Sequence, residues 1–355
     1  MSQAHSPGII ETLKRAWDDL TQDTAEIRLH TDKQSYGPGE TINGTAELIV
    51  YRQITTRCLM MKWKGFEKTQ THHSETYRNP ISRRRHTRTI YVDDKRLFFN
   101  TKMILHSFGN AACVINAGTY TYPFQVTLPN ELPGSFVHNK IIVAGIIYEL
   151  KVWADISCGR MFKREYVQVN QTCKDVSHIV HEKSFKKFLF GGSGELVMEV
   201  TLNKNIFAPG EEIVISCNIV NDSQKTVDQL KVKLHRDVVI KAQQTQEEET
   251  TEICRLEYPQ KIVAKSSYQG EIFFQIPSDL VPSCRGSLVS NQYHLDVECD
   301  VPLAFDLEVH PKIIIAVPSG ANKIPDLYKG YSKGSWRKND PMAEQQVETQ
   351  NDDYY

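Results

Sequence analysis

Long apolar runs, one-signed charge and paired cysteine motifs are all missing from this 355-residue chain. The longest unbroken apolar stretch, Ile141 to Ile147, is far shorter than the ~20 residues that cross a bilayer as a helix. No basic-then-apolar leader opens the sequence, so a cytoplasmic protein is expected rather than a secreted one. Its 42 basic residues meet 43 acidic ones, a net charge of -1. That balance gives no global attraction to nucleic acid, and anion binding has to come from local clusters. Eight cysteines (Cys58, Cys113, Cys158, Cys173, Cys217, Cys254, Cys284 and Cys299) stand apart without a Cys-x-x-Cys pair. This spacing speaks against a zinc site or a dense disulfide framework and for reduced thiols.

Helical periodicity is confined to residues 8–21. There Ile9, Ile10, Leu13, Trp17 and Leu20 recur every three or four positions, which predicts a short amphipathic helix within residues 1–24. Its polar face mixes Glu11, Asp18 and Asp19 with Lys14 and Arg15, which favours packing on the protein's own sheet over a membrane surface.

From Ile27 onward the chain alternates with period two. SYGPGETINGTAELIV, Ser35 to Val50, puts Ile42, Gly44, Ala46, Leu48 and Val50 on one face behind a Pro-Gly turn. The same unit returns as IFAPGEEIVISCNIVN, Ile206 to Asn221, with Ile213, Ile215, Cys217 and Ile219 on one face. VTLPNELPGS, Val126 to Ser135, is echoed by FQIPSDLVPS, Phe274 to Ser283, and YELKV at Tyr148 by YHLDV at Tyr293. Three markers in the same order predict an all-β protein of two tandem immunoglobulin-like β-sandwiches. Their expected spans are residues 25–175 and 194–318, joined by a linker at 176–193. The polar tail 319–355 lacks the apolar area to offset its ordering entropy and is expected to be flexible.

No grouping of acid, base or nucleophile stands at a catalytic spacing, so no catalytic residue, cofactor or metal is expected. GGSG at Gly191 to Gly194 falls short of a nucleophile elbow because Glu195 follows it. His178, His181 and Cys173 lack further ligands at metal spacing. The most pointed local charge is Arg83, Arg84, Arg85 and Arg88, within a polar insertion from Glu67 to Arg88 that reads as a loop between two strands. Such a cluster suits phosphate or carboxylate groups, including anionic lipid, or else it is a solvated loop. Lys183, Lys186 and Lys187 lie in the linker among Phe185, Phe188, Leu189 and Phe190, where they contact anionic headgroups or flank an apolar tether. The sequons at Asn43, Asn170 and Asn221 keep a third class open, a secreted β-sandwich binding protein.

Taken together, YGPGETINGTAEL, AGTYTYPFQVTLPNELPGSF, YELKVWADI, GELVMEVTLNKNIFAPGEEIVISCNIVNDS and HPKIIIAVP resemble the arrestin superfamily, most closely its α-arrestin branch of arrestin-domain-containing proteins. The likeness runs from about Ile27 to Pro318. It implies two hinged β-sandwiches and a non-enzymatic adaptor, peripherally recruited to plasma membrane or endosomes. Such an adaptor would link cytoplasmic regions of membrane receptors or transporters to sorting machinery or a ubiquitin ligase. A retromer-type coat subunit in endosomal sorting has the same fold. The insertion with Arg83 to Arg88 falls where the family has a crest loop that meets cargo or membrane. Two departures stand out. The tail has no Pro-Pro-x-Tyr ligase motif, with Ile324 to Tyr328 keeping one proline. The phosphate-sensing arginine of visual and β-arrestins is replaced by Gln168, with Lys163 and Arg164 nearby.

Overall fold

The structure is a computed structural model that describes residues 24–78, 85–139, 143–157, 159–170, 177–188 and 193–317. The helix expected at residues 8–21 and the tail from 319 lie outside the described residues.

Every regular element among the described residues is a strand. The first half holds β1 (Ala25–Thr31), β2 (Ser35–Tyr36), β3 (Thr41–Val50), β4 (Ile54–Thr56), β5 (Cys58–Arg78), β6 (Arg85–Ser107), β7 (Cys113–Ile115), β8 (Gly118–Thr127), β9 (Phe136–Asn139), β10 (Val143–Ile156), β11 (Gly159–Tyr166) and β12 (Gln168–Val169). Sheet β1-β3-β8 packs on sheet β11-β10-β5-β6, with β9 added to β10. The second half holds β13 (Val180–Phe188), β14 (Gly194–Leu202), β15 (Ile206–Phe207), β16 (Glu212–Asn221), β17 (Gln229–Ala242), β18 (Thr245–Tyr258), β19 (Ser266–Gln275), β20 (Cys284–Arg285), β21 (Val289–Asp300), β22 (Leu307–Val309) and β23 (Lys312–Ile315). There β13-β14-β16-β19 packs on β15-β23-β21-β17-β18.

The alternation read from sequence sets the cores. Leu59, Met61 and Trp63 of β5 and Tyr148, Leu150, Val152 and Ala154 of β10 are buried in the first sandwich. Ile213, Ile215, Cys217 and Ile219 of β16 and Tyr293, Leu295, Val297 and Cys299 of β21 are buried in the second. Burying each large side chain stabilises by about 1.5–3 kcal/mol.

The repeated markers meet one another in space, which explains why they recur. Gly39 and Gly210 have φ near +80° (81° and 80°), where glycine is unstrained. Gly39 N donates to Pro129 O (3.0 Å) and Gly210 N to Pro277 O (3.2 Å), tying the first marker to the second in each half. The third marker closes the set: Tyr148 Oη donates to Pro133 O (2.6 Å) and Tyr293 Oη to Val281 O (2.7 Å). Ser135 and Ser283 likewise accept from Val169 N (2.8 Å) and Ile315 N (2.9 Å). Each half is one turn, one loop and one tyrosine locked together by equivalent hydrogen bonds.

Two expectations are corrected. The polar insertion is no loop within the described residues: β5 and β6 pair from Cys58↔Ser107 to Arg78↔Arg85, with register shifts at Leu59/Met60 and Gly65/Phe66, forming one long hairpin. Its composition misleads because the far end, from His73 outward, has no sheet to cover it and needs no apolar residue. The segment read as a linker forms β13 from Val180 to Phe188, an edge strand on β14. Phe185 there is exposed rather than packed as a tether between the sandwiches.

The sandwiches share a joint. Val238, Ile240, Cys284 and Val289 of the second half belong to the first half's apolar core. Thr69 Oγ1 donates to Lys241 O (2.6 Å), Thr71 and Thr245 hydroxyls bond (2.6 Å), and Glu67 accepts from Ser287 N (3.2 Å) and Leu288 N (2.9 Å).

Candidate anion-binding surface

The sequence-predicted basic residues do not form one site. Arg83 and Arg84 lie outside the described residues. Arg85 opens β6 at the exposed end of the hairpin, opposite Arg78. Arg88, also exposed, forms an ion pair with Glu75 (2.7 Å) and lies 5.7 Å from the centre of the Tyr77 ring. Lys183 pairs with Glu199 (2.6 Å), and Lys186 donates to the carbonyls of Phe305 and Asp306 over the Phe305 ring. Lys187 is exposed on the same edge strand. Lys163 and Arg164, adjacent in β11, point to opposite faces: Lys163 stands beside core-facing Val152 and pairs with Glu165 (3.2 Å). Gln168 is buried, and its side-chain amide donates to Asn170 Oδ1 (3.3 Å).

Arg164 belongs instead to a basic face on the first sandwich. Period two turns Leu59, Met61, Leu150, Val152 and Met161 into the core, so the intervening residues of β5, β10 and β11 point out. Strand register then sets Lys102, Lys62, Lys151 and Arg164 side by side in one row across β6, β5, β10 and β11. The next row is Ile104, Met60, Trp153 and Phe162. Ile104 and Phe162 are 61% and 53% exposed. Lys102, Lys151 and Arg160 lie 5.3, 5.7 and 5.8 Å from the Trp153 ring centre, and Lys151 is 4.7 Å from that of Phe162. The acids on this face are engaged: Glu149 takes Lys64 (3.7 Å) and Arg164 (3.1 Å), and Asp155 takes Arg160 (2.6 Å). Lys62 and Lys102 have no ion-pair partner among the described residues.

Like charges directly opposite one another destabilise a sheet. Three such pairs in succession, Lys102–Lys62, Lys62–Lys151 and Lys151–Arg164, are poor chemistry for stability and good chemistry for holding an anion. Sequence reading missed this face because its cations are single residues in separate strands; the available signal was the outward Lys or Arg in MKWKGF, LKVWADI, RMFKREY and NTKMIL.

Two sequons prove structural. Asn170 Nδ2 donates to Ser35 Oγ (3.1 Å), and Asn221 Nδ2 to Lys225 O (2.8 Å). Both residues are buried, so the atom that would carry a glycan is engaged inside the fold. Asn43 is exposed. The thiols of Cys217, Cys284 and Cys299 are pushed up to about 12 by burial, and the six described cysteines are unpaired. No helix among the described residues is long and apolar enough to cross a membrane.

Comparison with known proteins agrees with this architecture. Residues 25–182 match the family description "Arrestin (or S-antigen), N-terminal domain", and residues 192–319 match its C-terminal domain. Arrestin domain-containing protein A of Dictyostelium discoideum is 27% identical over 303 residues, covering 82% of this chain and 51% of that protein. Arrestin domain-containing protein B of the same organism is 24% identical, covering 83% of this chain and 46% of that protein. Mouse arrestin domain-containing protein 1 is 24% identical, covering 79% and 61% respectively. The chain thus spans about half the length of the two Dictyostelium relatives. With both domain types matched in order over two sandwiches, the chain belongs to the arrestin superfamily and is α-arrestin-like.

Proposed function

We propose that this chain is a non-enzymatic adaptor that docks on an anionic membrane leaflet through the basic face of its first sandwich. There it holds cytoplasmic parts of membrane receptors or transporters for endocytic sorting or ubiquitination. The observation that carries the reading is the row Lys102, Lys62, Lys151 and Arg164 beside exposed Phe162 and Ile104. Cations over anionic headgroups with apolar side chains dipping between them is interfacial chemistry. Membership of the arrestin superfamily supports the adaptor role. A leaflet contact and a cargo contact, each weak, gain strength together through effective concentration.

The test is co-sedimentation with vesicles of neutral lipid alone, or with phosphatidylserine or a phosphoinositide added. Wild type is compared with a variant in which Lys62, Lys102, Lys151 and Arg164 are all Ala, and with one in which Arg85 and Arg88 are Ala. A cation near an anionic leaflet contributes about 1 kcal/mol, so the fourfold variant is expected to bind roughly a hundredfold or more weaker. Salt-sensitive binding that survives in the fourfold variant and vanishes in the hairpin variant moves the contact to the β5–β6 tip. No binding by wild type overturns membrane docking.

A further inference from the structure

The outer face of the second sandwich carries a cluster that the adaptor reading does not use. Along β17 and β21, Lys231 pairs with Asp300 (2.8 Å) and Lys233 with Glu298, each a diagonal cation–carboxylate step. The third step breaks the pattern: His235 stands where a third lysine would continue it, with His294 directly opposite. One carboxylate, Asp296, now faces three imidazoles. His235 Nε2 is 3.1 Å from its Oδ2, His294 Nε2 is 3.4 Å from its Oδ1, and His310 Nδ1 donates to Oδ1 (2.6 Å). In this geometry the carboxylate does not satisfy all three rings. Both ring nitrogens of His235 are buried without a hydrogen bond.

We propose that His235, His294 and Asp296 form a binding site for a zinc-class divalent cation. One donor atom from each lies within 4.8 Å of the others. Zinc bonds of about 2.0–2.2 Å to nitrogen and oxygen set neighbouring tetrahedral ligands about 3.3–3.5 Å apart, close to the 3.1 and 3.4 Å that separate the two imidazoles from the Asp296 carboxylate. The His235 and His294 rings are stacked, 5.2 Å apart and 10° from parallel, so they approach from the same side. The supporting contacts are those of a metal site. Asp237 Oδ2 lies 2.7 Å from His294 Nδ1 and would hold the ring proton there while Nε2 takes the cation. His310 Nδ1 holds the same carboxylate at Oδ1. Two imidazoles and one carboxylate suit zinc, cobalt, nickel or copper, and suit calcium or magnesium poorly. His235, His294 and Asp296 side chains are 16%, 20% and 15% exposed, which shields three positions and leaves a fourth toward solvent. Bound there, a cation would clip β17 to β21 and stabilise the folded chain by mass action.

Titration of the purified full chain with cobalt(II) tests this, because visible d–d bands report its coordination and an ultraviolet thiolate band reports any cysteine ligand. One equivalent should bind with four-coordinate band intensity and no thiolate band, zinc should displace it, and either metal should raise Tm. His235→Ala and His294→Ala should each abolish the bands. Asp237→Asn keeps all three ligands and should weaken binding roughly 10- to 100-fold, so it carries the test if a ligand variant fails to fold. Absent bands at one equivalent, bands unchanged in the variants, or a thiolate band would overturn the site.

Discussion

Glu67→Ala should loosen the joint between the sandwiches. The Glu67 carboxylate is fully buried and accepts two backbone hydrogen bonds, from Ser287 N (3.2 Å) and Leu288 N (2.9 Å). Arg96 adds a favourable charge nearby and donates to Ser287 Oγ. Truncation leaves both amides facing a gap, and an unsatisfied buried donor costs about 1–3 kcal/mol. Ser287 is exposed, so water reaches its amide and the low end applies to it. The sum is about 2–4 kcal/mol, or a urea midpoint lower by about 1–2 M at a slope near 2 kcal/mol/M. The pH dependence has a definite sign. Burial pushes the Glu67 carboxyl above its ordinary 4.5, against the opposing pull of Leu288 and Ser287 amides and Arg96. The folded state therefore favours the neutral acid, and this contribution is complete below the unfolded value and lost as pH rises through the raised folded one. Glu67→Gln cannot ionise and lacks that loss. The stability of wild type minus that of Glu67→Gln should fall as pH is raised from about 4 to about 7. A Glu67→Ala protein within about 0.5 kcal/mol of wild type, or a difference between wild type and Glu67→Gln that is flat or rises with pH, refutes the reasoning.

Replacing Lys62 and Lys151 by Gln removes the like-charge pairs of the basic row, so thermal unfolding should show unchanged or higher stability, by up to about 1 kcal/mol, while vesicle binding falls. A clear loss of stability would mean that the row is structural. Tyr148→Phe and Tyr293→Phe delete equivalent hydrogen bonds, to Pro133 O and Val281 O, and each should cost about 1 kcal/mol in urea unfolding. Markedly unequal losses would show that the two copies are not energetically equivalent. Hydrogen exchange should protect β5 from Leu59 to Thr69, where β10 pairs with it, and fall away from His73 to Arg78, where β6 is its only ladder partner among the described residues. Uniform protection along the hairpin would point to a further surface covering its tip.

What the sequence reveals and what it hides follow from one physical asymmetry. A strand announces itself by apolar alternation when one face is buried, as in β10 and β21, and a Pro-Gly turn announces itself when φ must be positive, as at Gly39 and Gly210. The missed elements have no buried face to announce. The far part of the β5–β6 hairpin is exposed on both sides, so its residues are free to be polar. Edge strand β13 carries Lys183, Lys186 and Lys187, and charge on an edge keeps it from pairing with other chains. The feature that keeps that edge soluble also erases the pattern by which it would have been read. The basic row and the histidine cluster were hidden for a different reason. Lys62, Lys102, Lys151 and Arg164 become neighbours only through three strand registers, and His235 meets His294 only through one. Register is fixed by how the inward faces pack, because a slip of one residue would turn every core side chain toward solvent. The outward rows inherit their alignment from a core they do not touch. Neighbouring outward charges of one sign are therefore tolerated against their own repulsion, and that tolerance marks the rows as places to look for a ligand.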